Sequence, residues 1–372
     1  VKKKIRVAVI FGGRSGEHEV SLVSARGIME AMDKDKYEVL PIGITKEGQW
    51  IASGDPMRAL QSGMTEGGSK PAALLGDPSQ RGLIRLEEQG KGLQAARLTE
   101  VDVVFPVLHG PYGEDGTVQG LLDLANLPFV GAGVLGSALG MDKIVQKTVL
   151  RAHGLPVADF MSILRKEWER EPEAVIGRIM ETLGCPCFVK PANLGSSVGI
   201  SKAHNPEELP AALNEAARYD RKILVEEAID AREIEVSVLG NDEPMASVLG
   251  EIIPCNEFYD YEAKYIADNS QLLIPAPTSD KVKRRIQELA VQAYKAIDCA
   301  GMARADFFLE RVTNRIFVNE LNTIPGFTPI SMYPKLWEAS GISYSELIDR
   351  LIELALERHQ DKSRSETSYM PE

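Results

Sequence analysis

The sequence predicts an α/β protein of two or three packed units. Three observations carry that reading: apolar runs that stop at Gly-rich turns, helix-period stretches between those runs, and a late pair of period-two segments with carboxylates on one side. Taken in order, residues 5–11 form an apolar run ending in Gly12-Gly13, and Val20, Val23 and Ile28 then recur at helical spacing, so a strand, a tight turn and a helix open the chain. Residues 101–108 repeat the pattern, break at the Gly- and Pro-rich loop 110–116 and resume as a helix over 117–125, with a short strand over 127–130. Such alternation predicts a largely parallel sheet with ligand-facing loops at the strand ends. The interval 53–90 has weak periodicity and reads as an insertion or irregular surface segment.

A helix over 141–153, stopped by Gly154 and Pro156, opens a second unit. In it residues 187–190 and 223–227 read as strands and 206–219 as a helix. The third unit begins near Ala228 with the alternation of Ile234, Val236 and Val238 against Glu233, Glu235 and Ser237, and a strand over 247–254 follows. The aromatic and charged stretch 255–271 reads as a long loop, a common form of active-site lid. A helix over 280–297, strands over 302–309 and 315–322, and a helix over 344–358 complete the unit before a polar tail. The expected divisions are 1–138, 139–228 and 229–360, with 361–372 as a flexible tail.

A length of 372 residues exceeds what one core usually serves, in keeping with this division. The formal net charge of -12 disfavours broad attraction to nucleic acid or anionic lipid. Four cysteines, Cys185, Cys187, Cys255 and Cys299, lack zinc-cluster spacing and fit a reducing compartment. No apolar stretch reaches the roughly 20 residues a membrane span needs, so a cytoplasmic protein without membrane or nucleic-acid partners is expected.

The chemistry concentrates in a few places. Arg304 and Asp306, and Glu320 and Asn322, are each two apart, so on strands each pair shares a side. If the strands are neighbours, Asp306, Glu320 and Asn322 converge as an oxygen set suited to magnesium; the spacing fits a solvated sheet face with ordinary ion pairs equally well. The loop 190–199 offers Lys190, Gly195, Ser196 and Ser197 to a phosphate, without the order of a Walker A loop, and a plain turn explains it as well. Glu17 near a helix start can favour the macrodipole or accept a substrate ammonium. His109 is either a polar pocket group or a structural one. No nucleophile elbow or Cys–His pair is present, which favours metal-assisted phosphoryl transfer over covalent catalysis.

With residues 11–21, 109–116, 190–199, 259–265 and 304–333 in view, the chain closely resembles the D-alanine–D-alanine ligases of the ATP-grasp superfamily. The resemblance implies an amino-terminal parallel-sheet domain followed by a two-lobed ATP-grasp fold, a homodimer, ATP as cosubstrate, and magnesium, with manganese possible, as two ions per site. It implies that Lys143 and Lys190 contact nucleotide phosphates, that Ser197 sits with Gly195 and Ser196 in the phosphate-covering loop, and that Glu226 lies near adenine and Glu233 on the ribose. Asp306, Glu320 and Asn322 correspond to the metal ligands. Glu17, oriented through Ser196 and Tyr265, corresponds to the acceptor of the first D-alanine's ammonium. Lys264 and Ser331 receive the second carboxylate beside Met332, while Arg304 and the Gly326 N–H stabilise the oxyanion. The resemblance further implies ligation of two D-alanine molecules through an acyl phosphate, in support of peptidoglycan synthesis. The nearest rivals are ligases that take D-lactate or D-serine second, and Tyr265 in Glu262-Ala263-Lys264-Tyr265 favours the dipeptide over the D-lactate product. A more distant rival is a non-catalytic nucleotide-binding module.

Overall fold

A computed structural model describes residues 3–63, 71–79, 82–89, 92–195, 198–253 and 271–366. The amino-terminal sheet has the order β3-β2-β1-β7, built from β1 (Ile5–Gly12), β2 (Tyr37–Ile44), β3 (Trp50–Ile51) and β7 (Val103–Val107). β1 runs parallel to both β2 and β7, and β3 closes the edge antiparallel. Alternate residues of β1 enter different cores: Val7, Val9 and Phe11 one, Ala8 and Ile10 another. Burial on both sides is why this strand is an unbroken apolar run. Helix α1 (His18–Ala31) follows the turn at Gly12, whose φ of +91° and a would-be Cβ only 2.2 Å from the Ile44 carbonyl oxygen exclude any other residue.

The interval expected to be irregular holds more structure than its composition suggests. After α2 (Pro56–Ser62), strands β4 (Ala72–Leu74), β5 (Leu83–Gln89) and β6 (Gly92–Thr99) form a separate antiparallel sheet, β4-β5-β6. Helix α3 is Thr117–Leu124. The strand expected over 127–130 reduces to a single parallel bridge from Phe129 to Val104. The helix expected over 141–153 is α5 (Lys143–Ala152), and α4 (Val134–Met141), not expected from the sequence, precedes it. Asp142 separates them with extended backbone and caps α5 by accepting the Ile144 and Val145 N–H groups.

The middle sheet, β10-β9-β11-β8, is antiparallel, comprising β8 (Phe160–Leu164), β9 (Cys187–Pro191), β10 (Ser201–Ala203) and β11 (Lys222–Glu227). Helices α6 (Arg165–Arg170), α7 (Pro172–Thr182) and α8 (Leu209–Tyr219) contribute Trp168, Val175, Ile179, Ala212 and Leu213 to its core.

The last sheet, β14-β13-β12-β15-β16, is also antiparallel, with β12 (Ala231–Gly240), β13 (Met245–Ile253), β14 (Gln271–Leu273), β15 (Gly301–Glu310) and β16 (Ile316–Asn322). One face rests on α9 (Asp280–Ala296), where Ala303, Ala305, Phe307 and Leu309 of β15 are buried; Arg304, Asp306 and Phe308 turn the other way. The closing helices α10 (Met332–Ala339) and α11 (Tyr344–Lys362) return to the first sheet: Trp337, Leu347 and Leu351 share a core with Val7, Val9 and Phe11. α11 runs four residues beyond its expected end at Arg358. Arg358 anchors it through the Phe129 and Gly131 carbonyls. Among the described residues no helix is long and apolar enough to cross a membrane.

Candidate active site

A cleft of about 1440 Å³ opens where the three sheets meet. The first sheet contributes Glu17, His109 and Glu114 from its strand-end loops. The middle sheet and α5 contribute Lys143, Lys190 and Gly195, and the last sheet with its following loop Glu233, Arg304, Asp306, Glu320, Asn322, Gly326, Ser331 and Met332. Ser196, Ser197, Lys264 and Tyr265 lie outside the described residues, as do 255–270 of the expected lid and 367–372 of the expected tail; Asp361 and Lys362 of that tail belong to α11.

The two period-two pairs are neighbours in register, Arg304 opposite Asn322 and Asp306 opposite Glu320. Arg304 donates from Nε and Nη2 to the two Asp306 oxygens at 2.7 Å each, and Asn322 Nδ2 donates to Asp306 at 3.0 Å. On the adjoining strand Glu235 lies 3.1 Å from Arg304 Nε. Burial disfavours the charged guanidinium, but Asp306 and Glu235 outweigh it and hold Arg304 firmly protonated. With Asn322 donating through its nitrogen, its carboxamide oxygen is its remaining acceptor. Among the described residues no three His, Cys, Asp or Glu side chains cluster as a metal site, so the candidate set is two carboxylates and one carboxamide. Their hard oxygen donors, on a wall where Glu235 adds negative charge, suit a divalent cation such as magnesium.

Lys143 is the first residue of α5. Its Nζ donates to the Leu194 carbonyl at 2.8 Å and stands 3.7 Å from Glu320, so it ties the loop after β9 to the carboxylate wall. Lys190 pairs with Glu226, which also lies 3.1 Å from Lys147. Burial would raise the Glu226 carboxyl, yet the two ammonium groups bring it down to about 2. Burial pulls Lys147 below its ordinary value, whereas Glu226 holds Lys190 above its own against the same penalty. Glu226 is only 1% exposed and sits behind Lys190, while its chain neighbours Glu227 and Ala228 form the cleft wall.

Glu17 lies between two glycines. A Cβ on Gly110 would come within 3.0 Å of its Oε2, and one on Gly195 within 2.9 Å, so its position depends on both loops lacking side chains there. His109 is buried with Nδ1 3.1 Å from the Ile324 carbonyl, which assigns the proton to Nδ1; burial keeps the ring neutral against the pull of Glu17. Glu114 accepts the Gly110 N–H at 3.0 Å, and burial together with Glu17 pushes its carboxyl up to about 8. Ser331 Oγ accepts the Thr328 N–H at 3.1 Å, and Met332 packs with Ile252 and Leu336.

Sequence reasoning missed Glu114, Lys147 and Glu235. Each had a signal: Glu114 lies in the loop 110–116, Lys147 one helical turn after Lys143, and Glu235 on the carboxylate side of an alternating strand.

Comparison with known proteins agrees with this architecture. A family model described as the D-ala D-ala ligase N-terminus matches residues 6–132, and one described as the C-terminus matches 149–353. The chain is 53% identical over 367 residues to a D-alanine–D-alanine ligase of Natranaerobius thermophilus, covering 99% of each chain. It is 55% identical over 363 residues to one from a Thermoanaerobacter species, covering 97% of this chain and 99% of the relative. Among solved structures, VanG D-Ala:D-Ser ligase from Enterococcus faecalis aligns with a TM-score of 0.84 at 37% identity, covering 95% of this chain and all of that one. The D-alanine–D-alanine ligase from Coxiella burnetii aligns with a TM-score of 0.81 at 40% identity, covering 97% and 96%.

Proposed function

The chain belongs to the D-alanine–D-alanine ligase family, and we propose from that premise a division of labour in the cleft for joining two D-alanine molecules at the expense of ATP. The dipeptide feeds peptidoglycan synthesis. The observation that carries the assignment is the in-register meeting of Arg304 and Asp306 with Asn322 and Glu320 on the wall of the cleft that also gathers Glu17, Lys143 and Lys190.

Lys143 and Lys190 take the phosphates of ATP, with the loop through Gly195, Ser196 and Ser197 over them and Glu233 on the ribose. Behind Lys190, Glu226 keeps that ammonium charged and aimed, close to the adenine end of the cleft. Glu17 accepts the ammonium of the first D-alanine, with Ser196 and Tyr265 completing its orientation and neutral His109 beside it. The first carboxylate then receives the γ-phosphoryl group of ATP, which turns a poor leaving oxygen into phosphate. Asp306, Glu320 and Asn322 would hold two magnesium ions, or manganese in their place, and when bound these offset the charge of the triphosphate.

The second D-alanine places its carboxylate on Ser331 and Lys264 with its methyl group toward Met332. Its free amine attacks the acyl phosphate carbon, the C–O bond to phosphate breaks, and the peptide bond remains. Arg304 and the Gly326 N–H stabilise the oxyanion between these events. The segment around Tyr265 closes over the intermediate and keeps water out. A cytoplasmic homodimer completes the reading, and light scattering on the purified protein tests the dimer.

Product-resolved assays with ATP and D-alanine, then with added D-lactate or D-serine, test the assignment. Dipeptide and ADP in equal amounts are expected. A mixed product formed in preference would move the chain to a different second substrate, and nucleotide binding without turnover would remove catalysis.

A further inference from the structure

Among the described residues β16 is the edge strand of its sheet, with no partner strand on one side of its backbone. It is also irregular: Asp306 pairs with Glu320 but Phe307 pairs with Val318, which leaves Asn319 as an extra residue, a β-bulge beside Glu320. Bulges re-aim neighbouring side chains and weaken the ladder that would hold them.

The open edge is met by the Pro156 carbonyl, which accepts the Val318 N–H at 2.7 Å, and then by two consecutive side chains of α5. Gln146 presents its carboxamide as a strand would: Oε1 accepts the Leu321 N–H at 2.9 Å and Nε2 donates to the Leu321 carbonyl at 3.0 Å. The same nitrogen donates to the Gly140 carbonyl at 2.9 Å. Lys147 Nζ donates to the carbonyl of the bulged Asn319 at 2.9 Å. Gln146 is 0% exposed and Lys147 1%, so water does not offer competing partners. α5 begins at Lys143, and Lys147 also reaches Glu226, so the helix that grips the edge is fixed to the phosphate-facing lysines as well.

We propose that Gln146 and Lys147 are positioning residues that clamp the bulged edge of β16 and thereby set the aim of Glu320 and Asn322. The inference rests on the reading of those two side chains as metal ligands. The clamp contacts backbone only, at Asn319 and Leu321, the residues flanking Glu320, while Glu320 and Asn322 pair across to β15. Metal alignment and the placement of Lys143 therefore share one helix.

The experiment compares wild type, Gln146→Met, Lys147→Met and Glu320→Ala. Activity is titrated with magnesium in excess of saturating ATP, and Leu321 amide hydrogen exchange is followed on the same proteins. Gln146→Met removes both edge bonds at similar volume. It is expected to raise the half-saturating magnesium concentration about tenfold or more, the usual cost of losing a group that orients a metal ligand, with the KM for D-alanine unchanged. Lys147→Met is expected to shift the magnesium requirement in the same direction. Faster Leu321 exchange in Gln146→Met is the readout independent of turnover. Wild-type magnesium dependence in both α5 variants overturns the clamp. If Glu320→Ala also keeps wild-type dependence, the metal reading itself fails; if Glu320→Ala is impaired and the α5 variants are not, the clamp alone fails. Should the α5 variants not fold, wild-type exchange decides: a Leu321 amide as unprotected as a free sheet edge overturns the proposal.

Discussion

The first and last sheets mount chemistry in opposite ways. β1 is buried on both faces and carries no functional side chain along its length; Glu17, His109 and Glu114 stand in loops beyond the strand ends. β15 and β16 bury one face and use the other directly, so Arg304, Asp306, Glu320 and Asn322 are placed by pleat and register. Charge follows the same division. On the strand face Asp306 and Glu235 flank Arg304, and on the middle sheet Glu226 sits between two lysines. At the strand ends burial, with the neighbouring Glu17, pushes the Glu114 carboxyl up to about 8. The strand face gathers Asp306, Glu235 and Glu320 around one arginine, a surplus that suits a divalent cation, whereas burial holds His109 and Glu114 of the loop cluster toward their neutral forms.

The largest effect is expected on the strand face. Arg304→Leu removes the cation between Asp306 and Glu235, and with it the proposed stabiliser of the oxyanion. The expected loss in kcat is about 10²–10³-fold, as for removal of one oxyanion donor. Steady-state kinetics at saturating substrates check it. A variant with near-normal kcat would make Arg304 a structural ion-pair residue and erase the contrast between face and loop.

Next comes the buried carboxyl of the loop cluster. Glu114 titrates near 8 in the folded protein against an ordinary 4.5, so the folded state holds its proton more tightly than the unfolded chain does. Its contribution to stability is fully present below about 4.5 and is lost as pH rises through about 8. Glu114→Gln stays neutral throughout. Thermal unfolding without nucleotide or metal is therefore expected to show wild type losing stability relative to the variant between these limits, and parallel pH curves would show that the Glu114 carboxyl is not raised.

How much of this was readable beforehand follows from the same division. Period-two spacing is local, so the faces of Arg304 and Asp306 and of Glu320 and Asn322 were legible, and the order of apolar runs announced the parallel sheet. The bulge at Asn319 was not, because it is a property of two strands separated by a turn. Lys147 was hidden by its surroundings, since only the buried Glu226 and the Asn319 carbonyl explain a lysine inside. The return of Trp337 and Leu351 to the core under β1 is a contact across most of the chain, which no periodicity encodes. The Asp142 cap did carry a local signal, and it starts α5 at Lys143 rather than at the expected Met141.

A smaller effect is expected where a loop backbone shapes the loop cluster. Gly195→Ala places a methyl group 2.9 Å from Glu17 Oε2, so the carboxylate must move by some tenths of an ångström. Misplacement of a whole ångström can cost about 10²-fold, so about tenfold in the KM for the first D-alanine is expected, with kcat less affected. Substrate saturation curves resolve this, and an unchanged KM would show that the loop gives way instead of Glu17.

The smallest effect isolates the scaffold. Ile10 points from β1 into the core with Val104, Val118 and Leu122, while its neighbours Val9 and Phe11 point into the core shared with α11. Ile10→Val deletes one methyl group far from any functional side chain, at an expected cost of about 1 kcal/mol in stability. Denaturant midpoints measure that cost, and kcat and both KM values should hold. The two results together bear on the division: a strand buried on both faces should lose stability without losing rate, because its only link to chemistry is the position of its ends. Should the rate fall while the midpoint stays, motion of β1 would reach Glu17 and His109 directly, and the first sheet would belong to the active site as fully as the last.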